Sequence, residues 1–253
     1  MGMTKPSVHN GLQLCRTMPV FDHFTNYTTA GLWTTTATGG GATVAAGDAD
    51  GGILTLTTGA TLNNEAAVTS TNKLLTFVAD KPSIFQCDLH YTEAATNAAG
   101  IVLGFASSWT NILADTTFAL PSSLSAALIY KKPTDTYWSA FGSVGTTQSS
   151  QLSLSPCQNA GINQRFYIQC MMNAASQVEI TFMQGGYGES AGNPGYTDML
   201  PSVTTMARMQ PIKFFIPYAS AAAMKIGVFA KASGSNSEVI SIDYIATEFL
   251  SIP

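Results

Sequence analysis

The chain has 253 residues, 45% of them hydrophobic and 10% aromatic, which excludes a disordered polymer and allows a sizeable core. Charged side chains make up only 10%, with a net charge of −4 and three arginines, so nucleic acid, which needs cationic clusters, is excluded as a partner. Thirty-one threonines and 23 serines stand where charges usually do, so the expected surface is one of hydroxyls and amides on a β-rich chain.

Residues 1–20 show neither strand nor helix periodicity and read as an extended N-terminal arm. Leu12, Leu14 and Met18 make it too apolar for a solvated tail, so it is expected to lie against its own domain or a neighbour. The first ten residues hold one lysine and no apolar h-region, and no apolar run approaches the ~20 residues of a membrane helix. Neither a secretory signal nor a membrane partner is expected.

Residues 21–253 read as a single domain. Short β-rich runs alternate with turn clusters: Leu32–Thr36, Ala42–Ala46 and Ile53–Thr57 are separated by Gly39-Gly40-Gly41 and by Asp48-Ala49-Asp50-Gly51-Gly52. In Ile53-Leu54-Thr55-Leu56-Thr57, alternation puts the two leucines on one face and the threonines on the other. Ala66–Ser70, Leu74–Val78, Ile84–Tyr91 and Gly100–Ala106 follow. A looped segment from Trp109 to Ser125, with at most one helical turn near its start, leads to Ala126–Tyr130 and Tyr137–Val144. Phe166–Met172 and Val178–Met183 form a hairpin across Asn173-Ala174-Ala175-Ser176. Ile212–Ile216, Met224–Ala230 and Val239–Phe249 complete the series. About a dozen short strands without βαβ alternation predict an antiparallel sandwich of two sheets around one core.

One stretch is too long for an ordinary connection. Gly185 to Gln210 carries Tyr187, Tyr196, Met199, Leu200, Met206 and Met209. Long loops without structure of their own are usually functional, and Met and Tyr suit a contact surface. A loop folded back over its own sheet edge is the other reading.

Candidate chemistry mostly fails on spacing. Gly188-Glu189-Ser190-Ala191-Gly192 matches the G-x-S-x-G nucleophile elbow, but Asn193-Pro194-Gly195 stops the required helix and His9, His23 and His90 all precede the serine. Glycosidases need two carboxylates at alternating positions on one strand face. Glu179 stands alone, while Asp88 and Glu93, like Glu238 and Asp243, are five apart and point to opposite faces. Cys87 and His90 likewise face apart, and no second pair completes a zinc site. Asp48-Ala49-Asp50-Gly51 opens like a calcium loop, but Gly59 occupies the position of the bidentate glutamate. Gly39-Gly40-Gly41 is a turn, not a phosphate loop, and Lys131-Lys132-Pro133 reads as a solvated strand end. Cys87 and Cys170 lie in apolar strand patterns as buried small hydrophobes. No enzyme activity and no cofactor is expected.

Gly31-Leu32-Trp33-Thr34-Thr35-Thr36 and Gly51 to Gly59 followed by Asn63-Asn64-Glu65 resemble virion proteins of tailed bacteriophages. Gly100 to Ala106 and Ile240 to Ile245 are similar to strands of the concanavalin A-like, laminin-G-like jelly-roll sandwich. The resemblance implies a non-enzymatic capsid decoration or cement protein on the virion surface, made in the host cytoplasm. Its partners would be the major capsid protein and copies of itself, bound through residues 1–20 and 185–210. The alternative is a carbohydrate-binding, lectin-like module used in host attachment, with glycan as its partner and Trp33, Trp109 or Trp138 as a stacking platform.

Overall fold

The computed structural model describes residues 15–25, 27, 31–48, 52–78, 82–93, 98–157, 164–173, 175–185, 212–218 and 222–251. In chain order the strands are β1 (Cys15–Asp22), β2 (Trp33–Thr38), β3 (Ala42–Asp48), β4 (Ile53–Thr58) and β5 (Glu65–Ser70). β6 (Ser83–Thr92), β7 (Ala99–Ala106), β8 (Ala126–Lys131), β9 (Tyr137–Val144) and β10 (Thr147–Pro156) follow. β11 (Gln164–Met172), β12 (Gln177–Gly185), β13 (Ile212–Pro217), β14 (Lys225–Ala232) and β15 (Val239–Ser251) complete the fold. No helix occurs among the described residues, so none is long and apolar enough to cross a membrane.

Eight strands form one sheet in the order β13-β12-β11-β6-β15-β4-β3, with β1 added alongside β15; seven form the other, β10-β9-β8-β7-β14-β5-β2. Every pairing is antiparallel, as the alternating sequences require. The sheets close on one core. Leu54, Leu56, Phe85, Leu89, Phe166 and Ile168 enter from the first, and Val68, Ile101, Leu103, Phe105, Ile129 and Val228 from the second. Phe214 and Ile216 also point in, which leaves Phe215 outside and 54% exposed.

Three expectations change. Residues 15–20 belong to strand β1 rather than to an arm without strand structure: they pair with β15, and a register shift between Thr17 and Val20, around Pro19, breaks the periodicity that would have revealed a strand. Leu74–Val78 is reduced to a single bridge, Leu75 to Met224. β10 is an edge strand of Thr, Ser and Gln with little apolar signal. Leu12 and Leu14 lie outside the described residues, as does the side chain of Met18 in β1.

The looped segment after β7 has a packing role. Ile112, Leu113, Phe118 and Leu124 are buried against Val102, Leu128, Phe141 and Phe229, on the outward face of the seven-stranded sheet. Asn111, Thr116 and Phe118 adopt positive φ, a strained course held by this packing. The outward face of that sheet is therefore sealed by the chain itself.

Lys131 is the further correction. It points inward at the end of β8 and is fully buried, because its Nζ donates to Glu93 Oε1 at 2.6 Å and to the Ala99 carbonyl at 2.9 Å. The pair neutralises two charges where either alone would be untenable. Tyr91 and half-buried Cys157 adjoin it. Burial pushes the Cys157 thiol from its usual 9.0 up to about 12, against the opposing pull of the Lys131 charge. The folded state therefore favours the protonated thiol. Below pH 9 that contributes nothing adverse, but above it the unfolded thiol ionises first, so stability falls as pH climbs from about 9 toward 12. Cys87 and Cys170, both buried and free, shift the same way. These three thiols are expected to resist alkylation at pH 8 until denaturant is added, which thiol titration with and without urea would check.

Candidate functional site

With one outward face sealed, the outward face of the eight-stranded sheet is where polar chemistry collects. Alternation puts Phe85, Cys87, Leu89 and Tyr91 of β6 in the core and turns Gln86, Asp88 and His90 outward. Register then aligns Tyr244 of β15, Asp88 of β6 and Arg165 of β11 in one row across three strands. A register shift between Ile242 and Tyr244 makes Asp243 the extra residue of a bulge beside that row. Bulges re-aim side chains and are enriched next to functional sites.

The row is tied together by directed bonds. Arg165 Nε and Nη2 both donate to Asp88 Oδ2, at 3.2 and 3.1 Å. The guanidinium lies over the Tyr244 ring, 5.9 Å from its centroid, and the His23 ring meets Tyr244 edge-on at 5.7 Å. Burial pushes the Tyr244 phenol up, and the Arg165 charge only partly opposes this, so the phenol stays protonated at any physiological pH. Desolvation pulls Arg165 down, but Tyr244, Asp88 and Asp243 together outweigh it and hold the guanidinium cationic. Tyr167 donates to Gln169 Oε1 on the same face, and Lys213 pairs with Glu179 further out. The result is a polar, internally neutralised row in which Asp88 and Tyr244 are buried and Arg165 is partly exposed. It holds donors and acceptors in fixed directions.

The three tryptophans do not form a platform. Trp33 and Trp138 are buried, 2% and 0% exposed, because each ring fills the core while its Nε1 donates to a polar side chain. The acceptors are Asp22 Oδ2 at 2.6 Å for Trp33 and Gln164 Oε1 at 2.8 Å for Trp138. Trp109 packs half-buried on the opposite outward face and donates to the Lys225 carbonyl at 3.2 Å. The three rings sit in separate places, and the two buried ones present no face to solvent. Tyr187, Tyr196, Met199, Leu200, Met206 and Met209 lie outside the described residues, as does the Gly188–Gly192 motif. Cys87 and His90 do face apart, and among the described residues no group of three or more His, Cys, Asp or Glu could hold a metal ion.

No protein-family model and no curated protein matches the chain. Solved structures do match across nearly its full length. An endo-1,3-β-glucanase from Streptomyces sioyaensis aligns over 98% of this chain and 100% of its own, with TM-score 0.56 and 12% identity. An endo-β-1,4-glucuronan lyase from the fungus Trichoderma reesei aligns over 91% and 95%, with TM-score 0.51 and 9% identity. A legume lectin-like domain from Entamoeba histolytica aligns over 85% and 89%, with TM-score 0.50 and 11% identity.

The fold is a concanavalin A-like jelly roll. Lectin domains and carbohydrate-active enzymes share it, so the jelly roll by itself does not decide between binding and catalysis.

The row of Asp88, Arg165 and Tyr244 was not foreseen from sequence. One signal was available: Gln86, Asp88 and His90 recur at every second position within an apolar strand, a polar stripe on an otherwise core-forming segment.

Proposed function

We propose that this chain is a non-enzymatic carbohydrate-binding module that presents the outward face of its eight-stranded sheet to a saccharide. The observation that carries the reading is the Asp88–Arg165 pair beside Tyr244 on the polar outward face of the eight-stranded sheet, where Arg165 is the partly exposed member of the row, opposite a face covered by the chain's own apolar loop. Planar charged and amide groups fixed on strands are suited to the paired hydroxyls of sugars. The likeness to lectin domains and carbohydrate-active enzymes supports a saccharide as ligand class. Catalysis is disfavoured because Asp88 is committed to Arg165 and the Tyr244 phenol is held protonated.

A second reading is favoured by the exposed Phe215 on edge strand β13 and by the low-charge surface: a virion structural protein that decorates a bacteriophage capsid, with residues 1–20 and 185–210 on its partners. Binding to assembled shells but not to free subunits would stabilise the shell by mass action.

One experiment separates the readings. The purified chain is screened on arrays of neutral and acidic glycans, and its copy number is measured in any particle that carries it. Saccharide binding should weaken at least ~10-fold in Arg165→Ala, the scale of a lost charge-assisted hydrogen bond. Lys213→Ala, away from the row, should leave binding unchanged. No reducing ends should be released from the bound polymers. Absence of glycan binding, with copy numbers comparable to the major capsid protein, would replace the first reading by the second.

A further inference from the structure

Lys231, on the outward face of β14, is fully buried beneath the 107–125 segment. All three directions around its Nζ are occupied: Asp115 Oδ1 at 2.6 Å, the Leu113 carbonyl at 2.8 Å and Glu65 Oε1 at 2.9 Å. The Phe118 ring centroid lies 6.0 Å away and closes the apolar side. One amine thus faces two carboxyl groups from different parts of the chain, Asp115 in the loop and Glu65 on β5. Glu65 is the cross-strand partner of Lys231 in the pairing of β5 with β14, and Asp115 reaches the same amine from the loop. One carboxylate would neutralise the lysine; the second stands where a proton acceptor would be needed.

We propose that Lys231 and Asp115 condense to form an intramolecular amide bond, with Glu65 relaying the protons. Glu65 draws a proton from Nζ, the freed lone pair attacks Asp115 Cγ, and a carboxyl oxygen of Asp115 departs. Two of the three ammonium protons leave with that oxygen as one water, the third remains on the amide nitrogen, and Glu65 ends as it began. An ammonium and a carboxylate are consumed, an amide and water are formed, and neither oxidant nor cofactor is required. Contact between the reacting groups supplies the driving proximity, since well-oriented intramolecular pairs reach effective molarities of about 10⁵–10⁸ M. The Asp115 side chain is 68% exposed, which gives the departing water a route to solvent, while the amine remains at 0%.

Lys131 provides an internal contrast. Its Nζ is just as close to a carboxylate, 2.6 Å from Glu93, but its other hydrogen-bond partner among the described residues is the Ala99 carbonyl rather than a second carboxylate. Without a relay this pair stays ionic. Condensation at Lys231 would weld the 107–125 segment to β14 and make the sealed face permanent.

The test is intact mass under denaturing conditions. The folded full-length chain should weigh one water less than its sequence, and a digest should yield a branched peptide joining the segments around residues 115 and 231. Asp115→Ala and Glu65→Gln should both return to full mass, and Asp115→Asn should lose ammonia in place of water. A cooperative urea transition in each variant confirms that folding is retained. A folded, aged wild-type chain at full sequence mass overturns the proposal. Water loss that persists in Asp115→Ala, or that maps to Lys131, overturns it equally, and persistence in Glu65→Gln removes Glu65 from the step.

Discussion

Lys131→Ala should destabilise the protein by about 3–5 kcal/mol, the usual consequence of stranding one partner of a buried pair. Both side chains are at 0% exposure and 2.6 Å apart, so the substitution leaves the Glu93 carboxylate without its cation in the interior near Tyr91. Against a typical stability of about 5–15 kcal/mol, this removes a large share of the total. The double variant Lys131→Met with Glu93→Gln should recover most of the loss, because the amide oxygen can still accept from the Ala99 N–H, which Glu93 Oε1 now does at 2.9 Å. Urea midpoints of Lys131→Met, Glu93→Gln and their double form the necessary cycle. Strict additivity would show that the two side chains do not act as a pair.

Gly104→Ala should be comparably damaging for a steric reason. Gly104 lies in β7 at φ +128°, and a Cβ there would stand 2.3 Å from the Ala127 carbonyl oxygen and 2.7 Å from Ile168 Cδ1. The carbonyl belongs to neighbouring β8, so it cannot retreat without opening the ladder. Backbone strain contributes about 1–3 kcal/mol and overpacking about 1–3 kcal/mol more. Gly145 supplies the control: its φ is also positive, +64°, yet nothing lies within 4 Å of an added Cβ. Gly145→Ala should therefore show the strain alone, about 1 kcal/mol. Equal losses in the two variants, measured as shifts in thermal midpoint, would refute the steric account.

The fold was legible where alternation is strong. Leu54 and Leu56 point into the core as the pattern of Ile53–Thr57 requires, and the hairpin across residues 173–176 joins β11 to β12. β10 escaped because an edge strand of Thr, Ser and Gln buries too little to impose a pattern, and β1 escaped because Pro19 sits in an irregular pairing. In the sequence the cover over the seven-stranded sheet has the signature of a loop, and because Ile112, Leu113, Phe118 and Leu124 follow no helical or strand period, nothing there marks their burial. The candidate site was harder still. Asp88 and Arg165 are 77 residues apart and meet only through the register of β6 with β11. Register is set by which strands pair, information that composition and periodicity do not hold. The tryptophans failed for the opposite reason: a large aromatic is as suited to a core as to a sugar face, and two of the three were needed inside.

The sheet order carries a consequence for synthesis on the ribosome. In both sheets a late strand is inserted between early ones: β15 divides β4 from β6, and β14 divides β5 from β7. A nascent chain that has emerged only through residue 218 has already made five strands, β1, β4, β5, β6 and β7, whose partners β14 or β15 do not yet exist. The two parts of each sheet have no strand to join them, and these edges stay unpaired at once, the condition that favours strand exchange between chains. The arrival of β14 and β15 must then close both layers together, through pairings far apart in sequence, and such non-local closure is slow. Slower translation would not help this molecule to fold; it would only lengthen the interval in which its edges are open, and a holding chaperone or a rapid finish serves it better.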